Sequence, residues 1–307
     1  MTILLLGANG QLGQTYLAHP EISDIGKLVP ATRDGRLLDG TACQQVDLSS
    51  SEETTTLLNR IRPSIILNAA AYNAVDQAED EPKRAFRINR DVVSELGSWA
   101  AANDALVVHF STDYVFDGRK EQPYAPNDRT NPLSTYGQSK LAGEEVLRKS
   151  GARHLLLRTA WVYSNAGNNF MKTMLRLARE RDEVRVVADQ HGSPTTTRLI
   201  VESSLRALTR IQSSPSDHAL LGTYHLVASG STSWHGFAKS IFDRAFELGM
   251  IAKRPRLEAI MSAEFKSKAH RPSYSVLDNR SFRQAFGVEL PDWRQGLEET
   301  LSSARPT

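Results

Sequence analysis

Tyr136 and Lys140 stand four residues apart in the segment Tyr136-Gly137-Gln138-Ser139-Lys140. On a helix that spacing puts the phenol and the ammonium on one face, about 5–6 Å apart at Cβ. An adjacent cation favours phenolate over phenol, so the pair predicts a Tyr136 pKa brought down from about 10 toward working pH. Such a tyrosine can give a proton to an oxygen on which negative charge develops, and a second hydroxyl can stabilise the same oxygen. Thr112 is placed to be that second donor, in Ser111-Thr112-Asp113-Tyr114-Val115-Phe116-Asp117-Gly118, directly after an apolar run. The chemistry this trio suits is reduction of a carbonyl, where the alkoxide must be protonated or hydrogen-bonded as it forms. YxxxK alone is frequent on helix surfaces, so its weight depends on what precedes it.

What precedes it is Gly7-Ala8-Asn9-Gly10-Gln11-Leu12-Gly13, directly after the apolar run Ile3-Leu4-Leu5-Leu6 and at the start of a helical stretch. In that setting a glycine turn can hold a dinucleotide pyrophosphate at a helix N-terminus. Gly7 permits the tight turn, Gly10 lets backbone N–H groups approach phosphate, and Gly13 lets the helix pack on the strand. The second strand ends in Ala31-Thr32-Arg33-Asp34. An acidic residue there would bond the ribose 2′-OH and a basic one would accept a 2′-phosphate. Arg33 favours NADPH; Asp34 is the competing candidate, which leaves NADH open.

Candidate strands at 3–6, 28–31, 44–46, 65–68, 106–110 and 155–157, most of them short apolar runs, alternate with helical stretches, the longest at 84–102 and 136–149. This is the pattern of successive βαβ units, and it predicts an α/β chain with a Rossmann-like, doubly wound parallel sheet. After Arg158 the pattern loosens into turn-rich segments around 164–169 and 190–194, read as loops of a smaller C-terminal substrate lobe. The expected division is a dinucleotide-binding domain over 1–160, with returns near 184–210 and 222–240, and mainly a substrate-binding lobe over 161–307. Residues 302–307 are expected to fray.

The 307 residues carry 37 Lys and Arg against 35 Asp and Glu, a formal charge of +2. No field of that size calls for nucleic acid or a membrane surface as partner. Cys43 is the only cysteine, which excludes an internal disulfide and a cysteine metal cluster. No segment approaches the roughly 18 apolar residues of a membrane span, and the apolar start is too short for a signal peptide. The expectation is a cytoplasmic enzyme with a small anionic substrate.

The glycine turn, Asn68-Ala69-Ala70-Ala71-Tyr72, Ser111 to Gly118, Tyr136 to Lys140, Arg158-Thr159-Ala160-Trp161-Val162-Tyr163, Gly167-Asn168-Asn169-Phe170 and Arg271-Pro272 occur here in one order. Through them the chain resembles the extended short-chain dehydrogenases, and within these the dTDP-4-dehydrorhamnose reductase family, almost end to end. The resemblance implies NADPH-dependent reduction of the 4-keto group of dTDP-4-dehydro-L-rhamnose to dTDP-L-rhamnose. It implies Tyr136 as general acid, Lys140 on the nicotinamide ribose, and Thr112 at the substrate carbonyl. Gly10, Gln11 and Leu12 would meet the cofactor, Asp47 and Leu48 would lie near adenine, and Ala70, Ala71 and Tyr72 along pyrophosphate and ribose. Asp113 and Trp161 would touch the sugar, and Asn168 and Asn169 the substrate diphosphate. Asn89 resembles the asparagine that in related enzymes helps hold the catalytic lysine through water. No metal is expected, and a homodimer is left open.

Two other readings stay in view. One is another nucleotide-sugar 4-ketoreductase or an epimerase of the same fold; a 4,6-dehydratase is disfavoured because Tyr114 stands where those enzymes carry an acidic residue. The other is a non-catalytic regulatory subunit resembling that of methionine adenosyltransferase. His191 and His225 lack a partner at ligand spacing and are read as structural.

Overall fold

A computed structural model describes residues 1–304. Its centre is a seven-stranded sheet in which every neighbouring pair is parallel. The strands are β1 Thr2–Leu6, β2 Lys27–Thr32, β3 Gln44–Gln45, β4 Ile65–Asn68, β5 Leu106–Thr112 and β6 Arg153–Thr159, with Gly222–His225 added outside β6. The order across the sheet is Gly222–His225, β6, β5, β4, β1, β2, β3. Two of the strands run longer than the apolar stretches alone indicate, because β5 and β6 continue as polar Ser111, Thr112, Arg158 and Thr159 toward the cleft.

The central strands are apolar without alternation because both faces are covered. Ile3, Leu5, Leu67, Val108 and Leu157 pack toward the helices Thr197–Ser213 and Arg280–Phe286. Leu4, Leu6, Ile66, Val107 and Leu156 pack toward Ser51–Ile61, Val92–Ala102 and Thr135–Lys149. The run expected as one regular helix over 84–102 is helical from Pro82 to Ala102 but widens into a π-turn at Arg87–Asp91. That turn directs Asn89 inward, leaving it 1% exposed; π-turns of this kind recur at functional sites.

A second core gathers Tyr163, Met171, Phe237, Ile241, Trp293 and Leu297 among the helices Phe170–Glu180, Trp234–Glu247 and Trp293–Ser303. A parallel pair, Glu183–Val187 with Arg256–Ile260, borders it. The chain passes between the two cores more than once, since Thr197–Ser213 and Gly222–His225 serve the main sheet. The last helix holds Ser302 and Ser303, so the expected fraying does not begin there; 305–307 lie outside the described residues.

Candidate active site

The segments that follow β1, β2, β4, β5 and β6 surround a cleft of about 1210 Å³, closed on one side by the second lobe. Ligands of open parallel sheets bind at these carboxyl ends, and a site of this size exceeds what one drug-sized ligand needs.

At the first of these ends Gly7 has φ +77°, and a Cβ there would meet the Ala70 backbone nitrogen at 2.8 Å. A Cβ on Gly13 would lie 2.3 Å from the Gly7 carbonyl oxygen, so the helix can approach the strand only without one. Gly13 therefore acts through packing and does not line the cleft, whereas Gly7, Gly10, Gln11 and Leu12 do. Gly10 caps the helix Gln11–Ala18 with no side-chain bond, which leaves the first-turn N–H groups as donors for an anion. These features fit a dinucleotide pyrophosphate.

Arg33, Asp34, Asp47 and Leu48 line the far end, and Ala70, Ala71 and Tyr72 the stretch between. Asp34 is engaged locally: its Oδ1 accepts from Thr32 Oγ1 at 2.9 Å and from the Arg36 amide at 3.4 Å. Those bonds hold its carboxyl below the ordinary aspartate value. Arg33 makes no hydrogen bond or ion pair with any described residue, so its planar set of donors is free for a phosphate.

The reacting end is built where β5 stops. Thr112 Oγ1 donates to Asp113 Oδ1 at 3.1 Å and accepts from the Tyr114 amide at 3.2 Å. The helix Thr135–Lys149 brings Tyr136 alongside, with its ring edge-on to Tyr114 at 6.0 Å between centroids. Two groups fix the start of this helix: Ser134 Oγ accepts from the Gly137 amide at 3.2 Å, and Glu79 accepts from both the amide and the hydroxyl of Thr135 at 2.8 Å. Ser134 is a readable N-cap, but nothing in the sequence links Glu79 to a helix 56 positions on.

The expected lowering of Tyr136 is not what the structure gives. Burial pushes the phenol up to about 12, against the Thr112 hydroxyl beside it, with the Asp113 carboxylate adding to the rise. Lys140 is 2% exposed and its Nζ donates to the Phe110 carbonyl at 2.6 Å. Burial brings its ammonium down to about 8, with Glu144 opposing. Spacing put the two groups on one helix face, but desolvation sets the direction of the shift at Tyr136. A phenol that stays protonated at neutral pH is a loaded acid.

Asn89 is buried beside this helix. Its Oδ1 accepts from the Tyr72 amide at 2.9 Å, and its Nδ2 donates to the Tyr72 carbonyl at 3.0 Å and to Ser139 Oγ at 2.9 Å. It fastens the Tyr72 segment to the helix Thr135–Lys149. One turn further along that helix, buried Glu144 accepts from Ser111 Oγ at 2.6 Å and from Arg158 Nε at 2.9 Å and Nη2 at 2.7 Å. His225 packs against Arg158, and burial first, then that guanidinium, drop it to about 3, so it is a neutral structural histidine.

Toward the second lobe Asp113, Trp161 and Asn168 line the cleft. Asp113 is 3% exposed; the hydroxyls of Thr112 and Ser275 donate to its carboxyl, backbone N–H groups add to them, and no cation among the described residues is bonded to it. Burial raises it to about 7 against those bonds. Asn169 does not reach the cleft. It is the N-cap of Phe170–Glu180, its Oδ1 taking the Lys172 amide at 3.1 Å, and its Nδ2 is spent on the Ser164 carbonyl at 2.7 Å and Gln11 Oε1 at 2.9 Å. Arg84 and Trp234 line the cleft without having been singled out from sequence, and Asn68 and Phe170 line it having been quoted only as members of motifs, with no role assigned. Asn68 opens the Asn68-Ala69-Ala70-Ala71-Tyr72 motif and Phe170 closes the Gly167-Asn168-Asn169-Phe170 turn, so only Arg84 and Trp234 lacked a local signal.

Comparison with known proteins agrees with this geometry. The profile of the RmlD substrate binding domain family matches residues 1–305. A dTDP-4-dehydrorhamnose reductase of Sinorhizobium fredii is 43% identical over 301 residues, 98% of this chain and 97% of that protein. Its counterpart from Escherichia coli K12 is 40% identical over 302 residues, again 98% and 97% of the two chains. The crystal structure of dTDP-4-dehydrorhamnose reductase from Bacillus anthracis in complex with NADP superimposes with a TM-score of 0.85 at 32% identity, covering 99% of each chain. A glycine turn, a Thr-Tyr-Lys trio and a second lobe over one cleft, in a chain matched along nearly its whole length, place it in one group: the chain belongs to the RmlD substrate binding domain family.

Proposed function

We propose that this chain reduces the 4-keto group of dTDP-4-dehydro-L-rhamnose to dTDP-L-rhamnose with NADPH. The observation that carries this is the convergence of Thr112, Tyr136 and Lys140 beside the glycine turn, under a lobe that offers Asp113, Trp161 and Asn168 to a second ligand. When bound, the reduced nicotinamide supplies the hydride. The chain's own residues hold the carbonyl and deliver the proton. Tyr136, protonated at neutral pH, gives its proton to the substrate oxygen as negative charge gathers there, and Thr112, its hydroxyl hydrogen turned from Asp113 to that oxygen, gives it a second hydrogen bond. Lys140, charged below about 8, favours the phenolate left behind and binds the nicotinamide ribose.

In this reading Arg33 takes the 2′-phosphate, Gly10, Gln11 and Leu12 the pyrophosphate, and Ala70, Ala71 and Tyr72 the span between. Asp47 and Leu48 flank adenine, Asp113 and Trp161 hold the hexose, and Asn168 meets the substrate diphosphate. The main sheet up to about residue 160, with its later returns, serves the cofactor and the rest serves the sugar nucleotide. No helix among the described residues is long and apolar enough to cross a membrane, and free Cys43 suits a reducing, cytoplasmic setting.

The test is to incubate the protein with NADPH and dTDP-4-dehydro-L-rhamnose and follow nicotinamide absorbance and product NMR together. One NADPH consumed per dTDP-L-rhamnose formed is expected. Conversion of the sugar without net NADPH consumption would assign an epimerase instead.

A further inference from the structure

Trp161 has φ +46°, a left-handed backbone that a bulky residue adopts only where its surroundings enforce it. Three contacts do so. The Thr195 amide bonds its carbonyl oxygen at 3.2 Å. Its indole lies flat on that of Trp234, with centroids 3.5 Å apart and planes 5° from parallel. Gly192 presses on the same indole so closely that a Cβ there would stand 2.4 Å from Trp161 Cε2. A two-rung antiparallel ladder, Thr232 with Gly192 and Ser233 with His191, brings the glycine and Trp234 to Trp161 together. Ser233 then caps the helix that Trp234 opens, accepting from the Gly236 amide at 3.0 Å. Phe170 covers Trp234 further, at 4.6 Å and 47°.

Both indoles line the cleft, yet Trp234 is packed between two aromatic neighbours. Its position suits it to holding Trp161 rather than to gripping a ligand with an open ring face. We propose that Trp234 is a positioning residue for the sugar end of the cleft: through the stack it fixes the Trp161 indole, and so sets where the hexose lies relative to Tyr136. The role rests on the reductase reading above, while the stack itself can be measured without turnover.

The test approaches Trp161 from both sides. Trp234→Ala removes the stacking partner; Gly192→Ala pushes a methyl group into the indole; Trp234→Phe keeps a ring in place. Wild-type protein should show the near-ultraviolet circular dichroism couplet of two stacked indoles, and both alanine variants should lose it. Each should raise KM for the nucleotide sugar by about tenfold while KM for NADPH stays within about twofold. Trp234→Phe should keep sugar KM within about threefold of wild type. If Trp234→Ala does not fold, Gly192→Ala against Trp234→Phe makes the same comparison. An unchanged sugar KM after loss of the couplet, an equal change in both KM values, or a phenylalanine variant as impaired as the alanine variants would overturn the proposal. Wild-type binding of a thymidine diphosphate sugar, read by tryptophan fluorescence, separates these outcomes from failure of the reductase reading, which shows as binding without turnover.

Discussion

Asn169 donates its side-chain amide to Gln11 Oε1 at 2.9 Å, and Ser164 Oγ donates to the same oxygen at 3.0 Å. The loop that presents Asn168 to the substrate end is thereby fastened to the residue that opens the first helix, whose backbone faces the cofactor pyrophosphate in the proposed complex. A residue read from sequence as a diphosphate ligand acts through this bolt and through its cap.

Asn169→Ala should therefore do two things. Loss of the cap should cost about 1 kcal/mol of stability, read from denaturant unfolding. Loss of the bond to Gln11 should raise KM for the nucleotide sugar. Gln11→Leu, which keeps the cap, should reproduce the KM effect without the stability loss. If Gln11→Leu leaves sugar KM unchanged, Asn169 acts only as a cap.

Cofactor choice turns on Arg33. A charge-assisted contact to a 2′-phosphate contributes about 1.5–3 kcal/mol, so kcat/KM should favour NADPH over NADH by about ten- to a hundredfold. Asp34, tied to Thr32 and the Arg36 amide, is held off the ribose by its own turn. Arg33→Ala should erase most of the preference by weakening NADPH use alone. An unchanged cofactor ratio would put Arg33 in solvent.

Lys140 carries a stability cost that its proposed role explains. Burial lowers its pKa from 10.5 to about 8, so at neutral pH the folded chain bears a buried charge worth about 3 kcal/mol of destabilisation at most. Lys140→Met should remove that cost, lose about 1 kcal/mol with the bond to the Phe110 carbonyl, and emerge more stable at pH 7 while nearly inactive. Between pH 8 and 10.5 the unfolded lysine keeps a proton that the folded one has released, so wild-type stability rises across that window. The advantage of the variant should shrink over the same range. A gap independent of pH would mean that burial does not perturb this lysine.

Much of the sheet was legible because its strands are buried on both faces and read as unbroken apolar runs bounded by turns. Gly7 and Thr112 sit at the ends of such strands, and Tyr136 and Lys140 lie in the first two turns of the helix Thr135–Lys149, so local spacing carried them to the cleft. What stayed hidden depends on distant partners. Glu79 reaches the helix start at Thr135 across 56 positions, and Ser275 reaches Asp113 across 162. The π-turn that aims Asn89 inward leaves no trace in helical periodicity, which differs by one residue over a single turn. The direction of the Tyr136 shift stays hidden because spacing reveals a lysine on the same helix face but not the depth of burial that sets the phenol's pKa.

The central claim is that Tyr136 delivers the proton to the C4 oxygen, and Tyr136→Phe tests it most directly. The phenol acts on charge that develops only as the reaction proceeds, so kcat should fall by orders of magnitude while the Kd for NADPH, from fluorescence titration, stays close to wild type. Near-normal kcat in a folded Tyr136→Phe protein would contradict the account and require another acid in the cleft.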